Sequence, residues 1–180
     1  MMTNDQRLAL RADMEREAGA LCELLEAKNR AYGDSALEPL GLLTETNVPT
    51  GLKVRAEDKL KRWRTADPAD REDVLLDLMG YFGLLALAEA EVTNLPTFGV
   101  RRIRPGVPRE ERFIALRQAL GYEVARYDSG ARADVFTRST WTAADQCAVI
   151  DWLLVHHRGH TLPILLELLH YRVRFQTEAA

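Results

Sequence analysis

Apolar and polar positions alternate at helical period along most of the chain. In the first stretch Leu10, Met14, Leu21 and Leu25 mark one face. Thr3 and Gln6 have the spacing of a capping box, so this helix is predicted to begin there. It should run to about Arg30, where Gly33-Asp34-Ser35 turns the chain. A short helix near Ala36–Leu43 is interrupted by Pro39. A second firm helix covers about Leu52–Arg64, with Leu52, Ala56, Leu60 and Trp63 as its stripe. Asp67 as cap and Pro68 in the first turn start a third, which reaches about Glu91. That third helix is apolar nearly all round, a pattern that belongs at the centre of a bundle.

The pattern breaks over Thr93–Pro108, which holds Pro96, Gly99, Pro105, Gly106 and Pro108 and reads as a linker. Arg109–Leu120 is predicted helical. Tyr122–Thr137 is ambiguous: Asp128-Ser129-Gly130 suits the turn of a short hairpin between Tyr122–Tyr127 and Ala133–Thr137. Thr142 starts a helix to about His157, and a last helix covers about Thr161–Phe175 with Pro163 in its first turn. The expected fold is mostly α: a four-helix bundle over residues 1–92, a linker over 93–108 and a C-terminal helical extension over 109–180, the hairpin being its one candidate β element. No internal repeat is present.

Composition narrows the class. The 180 residues suit one domain, with or without a small appendix. Apolar residues make up 47% and charged residues 28%, as in soluble globular proteins. A net charge of −3 supplies no positive field, so nucleic acid is not an expected partner. The two cysteines, Cys22 and Cys147, form neither zinc-ligand spacing nor a disulfide framework, which suits a reducing compartment. The N-terminus lacks the apolar core of a signal peptide. The longest apolar run, Val74–Leu87, is broken by Asp77, Gly80 and Gly83 and is too short for a membrane span. A cytoplasmic protein is expected.

Charge placed inside the helical patterns points to chemistry. Glu23 and Glu26 are three apart, and Asp73 and Asp77 four apart, so each pair shares a helix face. Two such helices packed antiparallel could bring four carboxylates together, hard oxygen ligands that suit Mg²⁺ or Mn²⁺ with substrate phosphate oxygens. Each acid also has a plainer role. Glu26 can pair with Arg30, and Asp73 can complement a helix dipole. Asp77 lies among Leu75, Leu76, Leu78 and Met79, and a carboxylate in such a setting needs a cation. That cation is either a metal ion or the side chain of Arg55 or Lys59.

Arg55, Lys59 and Arg62 recur at helical spacing and form a basic stripe that suits a phosphate clamp or a solvated face. Lys28 and Asn29 end the first helix, and Tyr32 is placed either to stack on a base or to close the core. His156, His157 and His160 cluster where Gly159 should end a helix, so capping outweighs metal binding there. His170 stands alone on the last helix. No nucleophile triad, dinucleotide-binding loop or phosphate-binding loop is present.

The blocks Lys28-Asn29-x-x-Tyr32-Gly33-Asp34-Ser35, Arg55-x-x-Asp58-Lys59-x-x-Arg62 and Glu72-Asp73-x-x-x-Asp77-Leu78-x-Gly80-Tyr81 together resemble the nucleotide modification associated domain family of phages and bacteria. The resemblance covers about Ala20–Ala90. That family is distantly similar to the MazG-like all-α nucleoside triphosphate pyrophosphohydrolases. What the resemblance implies is a bacterial or phage-infected cell, a nucleotide substrate, and metal held by an E-x-x-E and an E-x-x-D pair. Glu23 and Glu26 match the first pair. Asp73 and Asp77 stand in place of the second, with a spacing of four rather than three.

Three expectations follow. In the first, Mg²⁺ or Mn²⁺ on Glu23, Glu26, Asp73 and Asp77, with Glu26 and Asp77 as the catalytic members, hydrolyses a (deoxy)nucleoside triphosphate to monophosphate and pyrophosphate. Lys28, Asn29, Tyr32, Arg55, Lys59 and Arg62 would then hold the nucleotide. In the second, the bundle binds a nucleotide or protein without turnover. In the third, it is structural and Asp77 pairs with Arg55. The near all-apolar third helix further suggests a homodimer.

Overall fold

The computed structural model describes residues 3–39, 47–65, 74–92, 106–127 and 161–178. Among them are five α-helices and no strand: α1 (Asn4–Ala31), α2 (Val48–Thr65), α3 (Val74–Val92), α4 (Arg112–Arg126) and α5 (Thr161–Glu178). They form a helical bundle, as the periodicity predicts.

Local chemistry accounts for the helix ends. At the start of α1, Gln6 N–H donates to Thr3 Oγ1 and Thr3 N–H donates to Gln6 Oε1, at 3.2 and 2.8 Å. The capping box satisfies two N–H groups that the helix itself cannot. At its other end Gly33 takes φ 60°, and Asp34 N–H donates to Asn29 O at 3.0 Å. This is the six-to-one bond of a Schellman motif, and the left-handed position is one that glycine occupies without steric cost. Helix α2 begins at Val48 rather than Leu52. Asn47 is the reason: its Oδ1 accepts from Thr50 N–H at 2.9 Å, and Pro49 sits in the first turn, where a missing N–H costs nothing.

The hairpin expectation is corrected over its first arm. A 3-10 turn over Arg109–Glu111 leads into α4, which runs through Tyr122 to Arg126. Phe113, Leu116, Leu120 and Val124 are all buried, so the apolar stripe keeps its helical period past Leu120 and holds the segment helical. The second arm, the linker over 93–105, the Asp67-Pro68 start signal and the helix expected over Thr142–His157 lie outside the described residues.

Helix α3 sits at the centre, packed against α1, α2, α4 and α5. Leu78, Met79, Phe82, Leu85, Leu87 and Ala90 are buried. These positions are covered by its own chain, while Leu75, Leu76 and Tyr81 are only partly buried. The helices α4 and α5 contribute Leu116, Leu120, Leu165 and Leu169 to the same hydrophobic core as the first three. Gly80 and Gly83 let α3 approach α1: a Cβ at Gly83 would stand 2.9 Å from Leu25 Cδ1.

Polar side chains also tie α5 in. Tyr127 Oη donates to buried Glu167 at 3.0 Å and lies 2.8 Å from Nδ1 of buried His170, while Arg11 donates to Tyr127 O at 3.0 Å. His170, solitary in the sequence, is therefore part of a buried polar seam between α1, α4 and α5. At the opposite side Glu89 accepts from Thr161 Oγ1 at 2.5 Å and lies 3.3 Å from Lys53 Nζ, joining α2, α3 and α5.

Candidate nucleotide cavity

The end of α1 and its exit turn, the middle of α2 and the first half of α3 enclose a cavity of about 330 Å³. That is within the size range of small-molecule sites, at its lower end. Its polar lining comes from Lys28, Asn29, Tyr32, Arg55, Asp77 and Tyr81. Leu24, Leu25, Leu76 and Leu84 supply the apolar wall, and Gly80 leaves the floor without a side chain.

Helical geometry explains why these residues meet. On α1, Leu24, Leu25, Lys28, Asn29 and Tyr32 fall within one broad face, because positions three and four apart are neighbours. On α3, Asp77, Gly80, Tyr81 and Leu84 repeat at the same spacing. Glu23 and Glu26 fall on the other side of α1. Glu23 is exposed and lies 3.4 Å from Arg117 on α4, and Glu26 pairs with Arg30 at 2.8 Å.

Asp77 finds its cation in the protein. Lys59 Nζ lies 2.6 Å from Asp77 Oδ2, with the two side chains 13% and 26% exposed. The lysine reaches across from α2, and the carboxylate also complements the dipole of the α3 N-terminus, in whose first turn it sits. Pairing with Lys59, one of the two cations expected for it, therefore holds; pairing with Arg55 does not.

Among the described residues the expected convergence of carboxylates is not seen. The helical period turns Glu23 and Glu26 away from Asp77, and Asp73 lies outside the described residues. Among the described residues no three His, Cys, Asp or Glu side chains come together to hold a metal ion. Of the four carboxylates expected to hold Mg²⁺ or Mn²⁺, the described residues place only Asp77 at the cavity. His156, His157 and His160 also lie outside the described residues.

The residues expected to hold a nucleotide divide. Lys28, Asn29, Tyr32 and Arg55 line the cavity together, and Lys59 reaches it through Asp77. Arg62 is exposed on α2 and is not in the lining. Among the described residues Lys28 and Arg55 have no ion-pair partner, so two cations remain available beside the apolar wall. Asn29 Oδ1 is buried without a hydrogen-bond partner among them, which leaves an acceptor for a ligand donor. Tyr81, Ser35 and Ala36 complete the lining; the first two belong to the blocks that carry the resemblance but were given no role from sequence, and the i+4 step from Asp77 to Tyr81 was the signal available for the first.

Cys22, on the buried side of α1, takes no part. Burial pushes its thiol up to about 12, with the charge of Arg117 acting weakly in the opposite sense. No described helix is long and apolar enough to cross a membrane. Neither the family models, nor the curated proteins, nor the solved structures include a match to this chain.

Proposed function

We propose that the cavity between α1, α2 and α3 binds a nucleotide. The observation that carries this reading is the pair Lys28 and Arg55, two cations without ion-pair partners among the described residues, lining one cavity with two tyrosines and an unsatisfied amide oxygen. Phosphate oxygens need cations and hydrogen-bond donors, which Lys28 and Arg55 supply. A base needs a flat apolar partner, which Tyr32, 71% exposed, and Tyr81 supply. Asn29 Oδ1 can accept from an exocyclic amine or a sugar hydroxyl. The three sequence blocks that resemble the nucleotide modification associated domain family contribute most of these residues, and they support the same ligand class.

Hydrolysis to monophosphate and pyrophosphate is a second reading, favoured by the presence of Asp77 in the lining. It requires a divalent ion, and the cavity offers that ion one described carboxylate, already paired with Lys59. Binding requires nothing further.

Thermal denaturation with a panel of dNTPs, NTPs, monophosphates and nucleosides tests the reading. A triphosphate at a hundred times its Kd should stabilise by about 2.7 kcal/mol. For a chain of this size that is a rise in Tm of roughly 5 to 10 °C. Nucleosides should give little, and Lys28→Ala or Arg55→Ala should abolish most of the shift. A shift that both variants leave intact would place the ligand elsewhere. Release of pyrophosphate in the same samples with Mg²⁺ decides for the second reading.

A further inference from the structure

The rim of the cavity is not held by the helices that form its walls. Tyr32, Ser35 and Ala36 belong to the turn that follows α1. At the centre of that turn Asp34 is 1% exposed and has φ 60°. A carboxylate with so little contact with water needs a cation, and Arg109 supplies it: its Nε pairs with Asp34 Oδ2. Arg109 stands in the 3-10 turn that opens α4, far along the chain from α1. One turn further on, Arg112 Nη1 donates to Glu38 Oε1 at 3.0 Å and grips the same loop at its far end. Inside the turn, Asp34 O accepts from both Leu37 N–H and Glu38 N–H, at 2.9 and 2.7 Å. Leu37 is buried below them.

We infer that Asp34, acting through Arg109, is a positioning residue for the cavity: it fixes the turn that presents Tyr32, Ser35 and Ala36 to the ligand, so affinity at the α1–α3 site depends on an ion pair with α4. This rests on the nucleotide reading given above. Asp34 does not line the cavity, and neither does Arg109. Their effect is on the ensemble of the turn. A turn released from α4 samples conformations in which Tyr32 no longer stands at the rim, and the apparent affinity falls with the fraction that remains competent.

Asp34→Asn is the informative substitution. Asparagine accepts the left-handed backbone conformation as readily as aspartate and keeps its size, so the turn loses a charge and little else. Arg109→Ala removes the partner from a half-exposed position and should fold. Nucleotide Kd is measured by calorimetry for the wild type, both single variants and the double variant, together with Arg109→Lys. A control variant, Arg172→Ala, breaks the Glu17–Arg172 pair between α1 and α5, away from the cavity.

Each single variant should weaken binding by about fivefold or more. The double variant should be no weaker than the worse single one, Arg109→Lys should recover part of the loss, and Arg172→Ala should keep the wild-type Kd despite a lower Tm. Hydrogen exchange gives a second readout: the Leu37 and Glu38 amides should exchange faster in Arg109→Ala. Wild-type affinity in Asp34→Asn and Arg109→Ala overturns this inference and leaves the nucleotide reading standing. The same loss in Arg172→Ala also overturns it, since the effect would then be one of general stability. Unchanged exchange at Leu37 and Glu38 overturns the clamp whatever the binding result. A wild-type protein that binds no nucleotide overturns the parent reading and this one with it.

Discussion

Three glycines inside helices separate two opposing effects of a single methyl group. Replacing glycine by alanine in a helix interior is favourable by about 1 kcal/mol, because glycine loses more backbone freedom on folding. Gly121 in α4 should show that gain undiluted, since a Cβ there meets nothing within 4 Å among the described residues. Gly83 in α3 should not. Its Cβ would stand 2.9 Å from Leu25 Cδ1 and 3.4 Å from Leu116 Cδ2, and both leucines are buried. Overpacking of this kind costs about 1 to 3 kcal/mol. The difference between Gly121→Ala and Gly83→Ala measures that cost with the propensity gain cancelled. At about 3 °C per kcal/mol for a chain of this size, Gly83→Ala should melt roughly 3 to 9 °C below Gly121→Ala. Gly80 is the intermediate case. Its nearest contact is Leu25 Cδ2 at 3.4 Å, an ordinary van der Waals distance, so Gly80→Ala should melt close to Gly121→Ala. Shortening the clashing side chain supplies the cross-check: Leu25→Val should cost less in the Gly83→Ala background than alone, because the two substitutions share one contact. Calorimetric or circular-dichroism melts suffice. Gly83→Ala and Gly121→Ala melting within about a degree of each other would refute the close approach of α3 to α1.

Further outcomes are expected elsewhere. Asp77→Asn should lower stability by about 1 to 2 kcal/mol, since it leaves the largely buried Lys59 ammonium facing a neutral amide; urea titration reads this, and an unchanged midpoint would remove the pair from the core of the site. Tyr127→Phe should cost about 1 to 3 kcal/mol through the hydrogen bonds it makes to Glu167 and His170, and a neutral result would mean that the seam contributes no stability. Cys22 should resist alkylation at pH 8 in the folded state, because burial raises its pKa to about 12. The folded state keeps that thiol's proton more tightly than the unfolded chain does. Its contribution is therefore intact below pH 9.0 and is lost as pH rises towards 12, so Cys22→Ala should flatten the alkaline fall in stability over that window.

Where local chemistry decides, the sequence was legible. The capping box at Thr3, the glycine stop at Gly33 and the apolar stripe of α1 all lie where a pattern of a few residues puts them. So do Lys28, Asn29, Tyr32, Arg55 and Asp77, which share the cavity because each sits at helical spacing from an apolar face already identified. Direction around the helix was the harder matter. Glu23 and Glu26 lie within two residues of cavity-lining positions, yet the helical turn carries Glu23 to Arg117 on α4 and Glu26 to Arg30 on its own helix. A spacing of three shows that two acids share a face; it does not say which face meets the partner helix. The end of α4 was obscured because the Asp128-Ser129-Gly130 turn signal invited a hairpin, while Val124, buried in the core, extends the helix. The pairing of Asp34 with Arg109 and of Tyr127 with Glu167 and His170 depends on tertiary packing between distant segments, which no local spacing encodes.

The central place of α3 has a consequence for the order in which the fold can be assembled. Its apolar surface is shared among four described neighbours, and one of them, α5, begins at Thr161, roughly seventy residues after α3 ends at Val92. At a synthesis rate of about 5 to 20 residues per second, that face waits roughly 4 to 14 s on the ribosome before its partner is made. A half-built bundle in that interval leaves the face that α5 later covers open to solvent and is sticky by the same physics that later buries it. Slower translation through the intervening segment should therefore raise the aggregated fraction, and a chain truncated at residue 127 should be recovered mainly as insoluble protein.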